Sequence, residues 1–199
     1  SATELVSVYA TVQDRERRLV PDLRQEDFIV SDNGKEQPIT FFSNEVSPFT
    51  VIILLDRSGS MVEHQPVVRD AASAFVRQML PEDQARVGNF GNRIWFNPQE
   101  FSSNRQELLS VLRAPAGSAG ASPVWLSLDQ SLNLLSGLEG RRVVLMLTDG
   151  HDAPARNHMR TSFKDVSERV KRAGVMIYAI GFASMEVRGG RPRLEPPDD

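Results

Sequence analysis

Val51-Ile52-Ile53-Leu54-Leu55-Asp56-Arg57-Ser58-Gly59-Ser60-Met61 decides how this chain is read. Its first five residues are apolar without alternation, the pattern of a strand buried on both faces in a parallel sheet covered by helices. The run ends abruptly in Asp-x-Ser-x-Ser. Oxygen-bearing side chains at i, i+2 and i+4 share one side of a roughly extended backbone, and Gly59 frees the chain to turn there. Ligands of open parallel sheets lie beyond the carboxyl ends of the strands, where this triplet falls. One carboxylate and two hydroxyls are hard oxygen donors, suited to Mg²⁺ or Ca²⁺. The triplet reads as half of a metal site.

Working outward, two further apolar runs repeat the pattern. Val143 to Leu147 leads into Thr148-Asp149-Gly150-His151-Asp152, and Val175 to Ile180 leads into Gly181. Helical periodicity separates the runs. Pro66 suits a first turn, and Val68, Ala72, Phe75, Val76 and Met79 then share a face. Ser103-Asn104 caps a segment carrying Leu108, Leu109 and Leu112. The small-residue loop at 114–123 closes on Ser122-Pro123, an N-cap signature, ahead of Trp125, Leu128, Leu132 and Leu135. Phe163, Val166, Val170 and Ala173 mark a last helix. Ala85–Phe90 and Arg93–Phe96 read as short strands joined at Gly91-Asn92. Strands alternating with helices predict an α/β fold, Rossmann-like, with a mainly parallel sheet flanked by helices.

Residues 1–49 read as a small β-rich extension. Val6, Val8, Ala10 and Val12 alternate with polar neighbours, and Leu23 to Phe28 holds a helical turn. Asp32-Asn33-Gly34 is a hairpin signal between Phe28–Val30 and a returning strand at Pro38–Phe42. Residues 50–183 form the main domain. Residues 184–199 carry Gly, Pro and charge with no recoverable element, and read as a disordered or truncated tail.

Composition excludes several classes. With 40% hydrophobic residues among 199, the chain can bury a core. A net charge of -3 gives no basic footprint for nucleic acid. Cysteine is absent, which removes disulfides, thiolate metal sites and cysteine nucleophiles. No apolar run approaches the ~20 residues a membrane-spanning helix needs. The chain starts at Ser1 without Met, which reads as a processed or trimmed form.

Both long apolar runs deliver an aspartate at their carboxyl ends. Neighbouring strands would bring Asp56 and Asp149 together, where two carboxylates without a cation would repel. Ser122 is the remaining candidate ligand, its hydroxyl free to face the same crevice. Together, Asp56-x-Ser58-x-Ser60, Ser122 opening a helix and Thr148-Asp149-Gly150 resemble the von Willebrand factor type A domain, over roughly residues 50–183. The front part resembles the N-terminal extension of bacterial VWFA-related proteins.

That resemblance implies a metal-ion-dependent adhesion site (MIDAS) without enzymatic activity. Ser58 and Ser60 would ligate Mg²⁺ directly, and Asp56 and Asp149 directly or through water, with Ca²⁺ or Mn²⁺ as alternatives. Ser122 takes a position where the family usually has Thr, a freer rotamer and an expectation of weaker affinity. Mg²⁺ with two carboxylates and three hydroxyls is formally neutral, so it can still gain from an Asp or Glu of a protein partner. The likeness also implies bacterial origin and an extracytoplasmic setting, whether secreted, periplasmic or cell-surface.

Arg57 stands where the family commonly has a small or neutral residue. It reads as outward-facing, with pairing to Asp152 or to an acidic ligand as alternatives. His64 and His151 read as exposed loop histidines, and Trp125 as core. Two rival functions stay open. A Mg²⁺-dependent hydrolase or phosphotransferase would need a base beside the metal, and the chain lacks nucleophile-elbow, phosphate-loop and dinucleotide motifs. A scaffold with a vestigial metal site would bind through its β-rich front.

Overall fold

A computed structural model describes residues 6, 8–45, 47–115, 117, 120–155, 161–182, 185–188 and 191–194. Contacts divide the chain into two units, Ser1–Ser47 and Pro48–Asp199. In the first, a turn of 3-10 helix spans Gln25–Asp27, where Asp27 Oδ2 accepts the Arg24 N–H at 2.7 Å. Strands β1 (Val30–Asp32) and β2 (Lys35–Gln37) pair antiparallel. Asn33 and Gly34 between them have φ of 50° and 76°, the double positive φ of a type I′ hairpin.

The expected hairpin is therefore present, but its returning strand is Lys35–Gln37 and not Pro38–Phe42. A two-residue turn starts the pairing at once, and Pro38 has no N–H with which to extend it. No strand forms over the described part of residues 6–12. Beside it the chain pairs through the Gln13–Leu19 bridge and the Val20 N–H to Val12 carbonyl bond. Val8 is 68% exposed, so its alternating pattern buries no face.

The second unit runs β3 (Phe49–Asp56), α1 (Gln65–Gln78), β4 (Gln84–Phe90), β5 (Ile94–Ser102), α2 (Arg105–Arg113), α3 (Val124–Leu135), β6 (Arg141–Thr148), α4 (Phe163–Ala173) and β7 (Met176–Gly181). One five-stranded sheet has the order β5-β4-β3-β6-β7. It is parallel except for β5, which pairs antiparallel with β4. β5 runs well past the predicted Phe96.

The unbroken apolar runs of β3 and β6 follow from burial on both faces. Side chains alternate across a strand. Val51, Ile53 and Leu55 join Val143, Leu145 and Leu147 under α1 and α2, meeting Val68, Ala72, Val76, Leu108 and Leu112. Ile52 and Leu54 join Val144 and Met146 on the opposite face, meeting Val124, Leu128 and Leu132 of α3 and Val166 of α4. Each such side chain stabilises the fold by about 1.5–3 kcal/mol relative to exposure. Asn104 caps α2, accepting from the N–H groups of Gln106 and Glu107. Gly174 closes α4 at φ 62°.

Two expectations fail here. The strand at 175–180 is not buried: Tyr178 is 46% and Ile180 45% exposed, because β7 is the sheet's edge. The tail is not featureless, since β8 (Met185–Arg188) and β9 (Arg191–Leu194) pair as an antiparallel hairpin. Gly189-Gly190 separates them in sequence, a dipeptide that favours tight hairpins.

No described helix is long and apolar enough to cross a membrane.

Candidate functional site

From β3 the chain passes to β4 and β5 on one side, and later returns to β6 on the other. The crevice between β3 and β6 is thus the topological switch point of the sheet, where open α/β folds place their ligands. Leu55 pairs with Leu147. One step further, Asp56 and Thr148 emerge side by side at the carboxyl ends.

Asp56 is wholly buried and stands at the centre. Its Oδ1 accepts the Ser58 N–H at 2.8 Å. Its Oδ2 accepts the hydroxyls of Thr148 at 2.6 Å and Ser122 at 3.2 Å. The Ser58 and Ser60 hydroxyls lie 3.2 Å apart, Ser58 buried and Ser60 exposed. Asp149 is buried at the head of the next loop, where its Oδ1 accepts the His151 N–H at 3.1 Å. Burial raises the Asp56 pKa; bonds from Thr148 and Ser58 lower it, and the charge of Asp149 raises it further.

Ser122 is not the N-cap of α3. Pro123 holds that position, and the Ser122 backbone instead exchanges two hydrogen bonds with Ala153, at 2.8 and 2.7 Å. This ties the loop before α3 to the loop after β6, and turns the Ser122 hydroxyl onto Asp56. The N-terminus of α3 is served from across the crevice by Asp152, which accepts the Trp125 N–H at 3.4 Å.

Several contributors escaped the sequence reading. Thr148 reads in sequence only as the neighbour of Asp149, yet it makes the shortest bond to Asp56. Asn92, in the β4–β5 turn, accepts the Ala121 N–H at 3.1 Å. Gly120 passes so close, at φ 94°, that a Cβ there would lie 2.3 Å from Asn92 Oδ1. Gln65 Nε2 donates to the carbonyls of Asp56 at 2.8 Å and Met61 at 3.2 Å, clamping the ends of the first loop onto α1.

Arg57 is not outward-facing and does not pair with Asp152. It is 5% exposed, with Nε donating to Asn89 Oδ1 at 2.7 Å and Nη1 to Gln65 Oε1. Burial lowers its pKa to about 10, the charge of Arg69 adds to that, and Asp56 opposes it. His64 is part-buried against Phe182, with ring centroids 5.6 Å apart. His151 is likewise part-buried. Trp125 is only partly buried, against Phe163.

Among the described residues no group of three or more His, Cys, Asp or Glu is placed to hold a metal ion by itself. A cation here would rely on hydroxyl oxygens as well as carboxylates. Two buried carboxylates, one acting on the other, leave the crevice short of positive charge. Donor set and charge fit a hard divalent cation.

The model of the von Willebrand factor type A domain matches residues 50–192. No curated protein sequence matches the chain. Among solved structures, an aerotolerance-related membrane protein from Bacteroides fragilis is similar at 15% identity and a TM-score of 0.58, over 75% of this chain and 82% of that one. BatB from Bacteroides thetaiotaomicron is similar at 15% identity and 0.55, over 74% and 75%. The pilus adhesin SpaC from Lactobacillus rhamnosus GG is similar at 14% identity and 0.54, over 68% and 25%. At these identities the likeness is one of fold.

Proposed function

This chain belongs to the von Willebrand factor type A family, and on that footing we propose that it is a non-enzymatic protein-binding module. It captures an acidic side chain of its partner at a divalent metal held by Asp56, Ser58, Ser60, Ser122 and Asp149. The observation that carries the reading is the wholly buried Asp56 carboxylate, on which two hydroxyls and a backbone N–H converge from the end of β6 and from two separate loops.

When bound, Mg²⁺ supplies an open position for a partner's carboxylate oxygen. The chain's own residues do the rest. Thr148 holds Asp56 in place from the neighbouring strand. Gln65 fixes the loop that presents Ser58 and Ser60, and the Ser122–Ala153 bridge fixes the loop that presents Ser122. The Ser122 and Thr148 hydroxyls donate to the Asp56 carboxylate and the Ser58 and Ser60 hydroxyls lie against each other, an oxygen cluster suited to holding a ligand. Binding without turnover is the better reading. One solved neighbour is a pilus adhesin and another a membrane protein; we extend from them an extracytoplasmic setting for this chain.

Calorimetric titration of metal-stripped protein with Mg²⁺ tests this, beside Asp56→Ala and Ser58→Ala. One-site binding that both variants lose is expected. Absence of binding at millimolar Mg²⁺ would remove the metal from the proposal.

A further inference from the structure

Arg142 lies six residues before Thr148, at the opposite end of β6 from the metal crevice. The rise of a strand puts about 20 Å between the two positions. There β6, α3 and α4 surround a cavity of about 280 Å³. Leu132, Leu135 and Val175 line it and are buried, which gives it an apolar floor. Arg142 and Arg169 are half-buried along its wall, and Arg172 is exposed at its mouth. The cavity is thus entered past a guanidinium and ends on hydrocarbon.

Bonds within the fold account for Arg169, which joins α4 to α3 through Asp129 and through Asn133 Oδ1 at 2.7 Å. Arg172 meets Glu168 of its own helix at 3.3 Å, but these side chains are 80% and 52% exposed, and such a pair holds weakly. Arg142 donates to the Ala173 carbonyl at 2.7 Å and, among the described residues, has no carboxylate partner. Three guanidiniums against the carboxylates of Asp129 and Glu168 leave the wall positive.

A bare inorganic anion would leave the apolar floor uncovered, and a neutral molecule would leave the wall's charge unmet. Planar guanidinium forks match the two oxygens of a carboxylate. Pockets for drug-sized ligands run to about 300–1,000 Å³, so a cavity of this size takes a smaller molecule. We propose that the cavity binds a small monocarboxylate carrying one apolar ring or short branched chain. Its carboxylate lies on Arg142 and Arg172, and its apolar part on Leu132, Leu135 and Val175. This site is independent of the metal at Asp56.

Methyl carbon–proton correlation spectra of the full chain, titrated with benzoate, test it. Saturable shifts of the Leu132, Leu135 and Val175 signals are expected, with the Leu55 and Leu147 signals near the metal crevice unmoved. Benzamide, of the same shape without the charge, binds about tenfold or more weakly. Arg172→Gln weakens benzoate binding and leaves that of benzamide unchanged. Still methyl signals in the wild-type protein would overturn the site. Equal affinity for benzamide, or unchanged benzoate affinity in Arg172→Gln, would overturn the part given to the arginines. Displacement of benzoate by an equal concentration of inorganic phosphate would overturn the part given to the apolar floor. The wild-type comparison of benzoate, benzamide and phosphate decides even where the variant fails to fold.

Discussion

Thr148 Oγ1 donates to Asp56 Oδ2 at 2.6 Å, joining residues 92 positions apart at the ends of adjacent parallel strands. The same Thr148 oxygen accepts the Gly150 N–H at 3.0 Å, so it also sets the course of the loop that carries Asp149.

Thr148→Val keeps the shape of the side chain and removes the hydroxyl. The buried Asp56 carboxylate loses its best partner, at a cost of about 1–3 kcal/mol in urea unfolding. Mg²⁺ affinity falls about 10–100-fold, the usual effect of removing a group that orients a ligand. Unchanged affinity in calorimetry would deny Thr148 its orienting role.

Burial holds the Asp56 carboxyl above its ordinary value of 3.8, aided by the charge of Asp149 against the pull of Thr148 and Ser58. The folded chain keeps this proton at pH values where the unfolded chain has lost it. Stability from this group in the metal-free protein is therefore present below the unfolded value and falls as pH rises through the folded one. Asp56→Asn flattens that part of the profile. Mg²⁺ needs the carboxylate ionised, so its affinity rises across the same window. Urea unfolding over about pH 3.5 to 7, with and without Mg²⁺, reads both slopes.

Gly120→Ala places a methyl group against Asn92 Oδ1 at a positive φ. A loss of about 1–3 kcal/mol is expected from the strained backbone and the clash. Adding Asn92→Ala removes the clash and not the strain, so the double variant recovers part of the loss. A strictly additive double-mutant cycle would show that the two residues do not meet.

Leu54→Ala separates fold from site. Leu54 is wholly buried beneath α3, and its truncation costs about 2–5 kcal/mol. Mg²⁺ affinity of the folded variant stays at the wild-type value. A matching loss of affinity would mean that the crevice depends on core packing throughout.

The sheet and its helices were legible because unbroken apolar runs and helical spacing are local signals, and β3 and β6 carry them in full. That Asp56, Ser58 and Ser60 lie together was legible because the i, i+2, i+4 spacing is local, running from the end of β3 into one loop; their use as metal ligands is the proposal. The part played by Thr148 was not, since it depends on the register of two strands far apart in sequence. Nor was the burial of Arg57, which rests on Asn89 from β4 and Gln65 from α1. The misreading of β7 has a similar cause: an apolar run reports what a strand tolerates, whereas its neighbours decide what covers it. The Gly189-Gly190 signal was present but outweighed by the polar composition around it.

The paired backbone bonds between Ser122 and Ala153 have a kinetic consequence. Each amide is shielded by the other residue's carbonyl, so neither can exchange its hydrogen until the whole bridge parts. The loops before α3 and after β6 should then open to solvent as one cooperative unit, with matching deuterium uptake at both amides. The pair acts as one latch on that side of the crevice, beside the bond from the Trp125 N–H to Asp152.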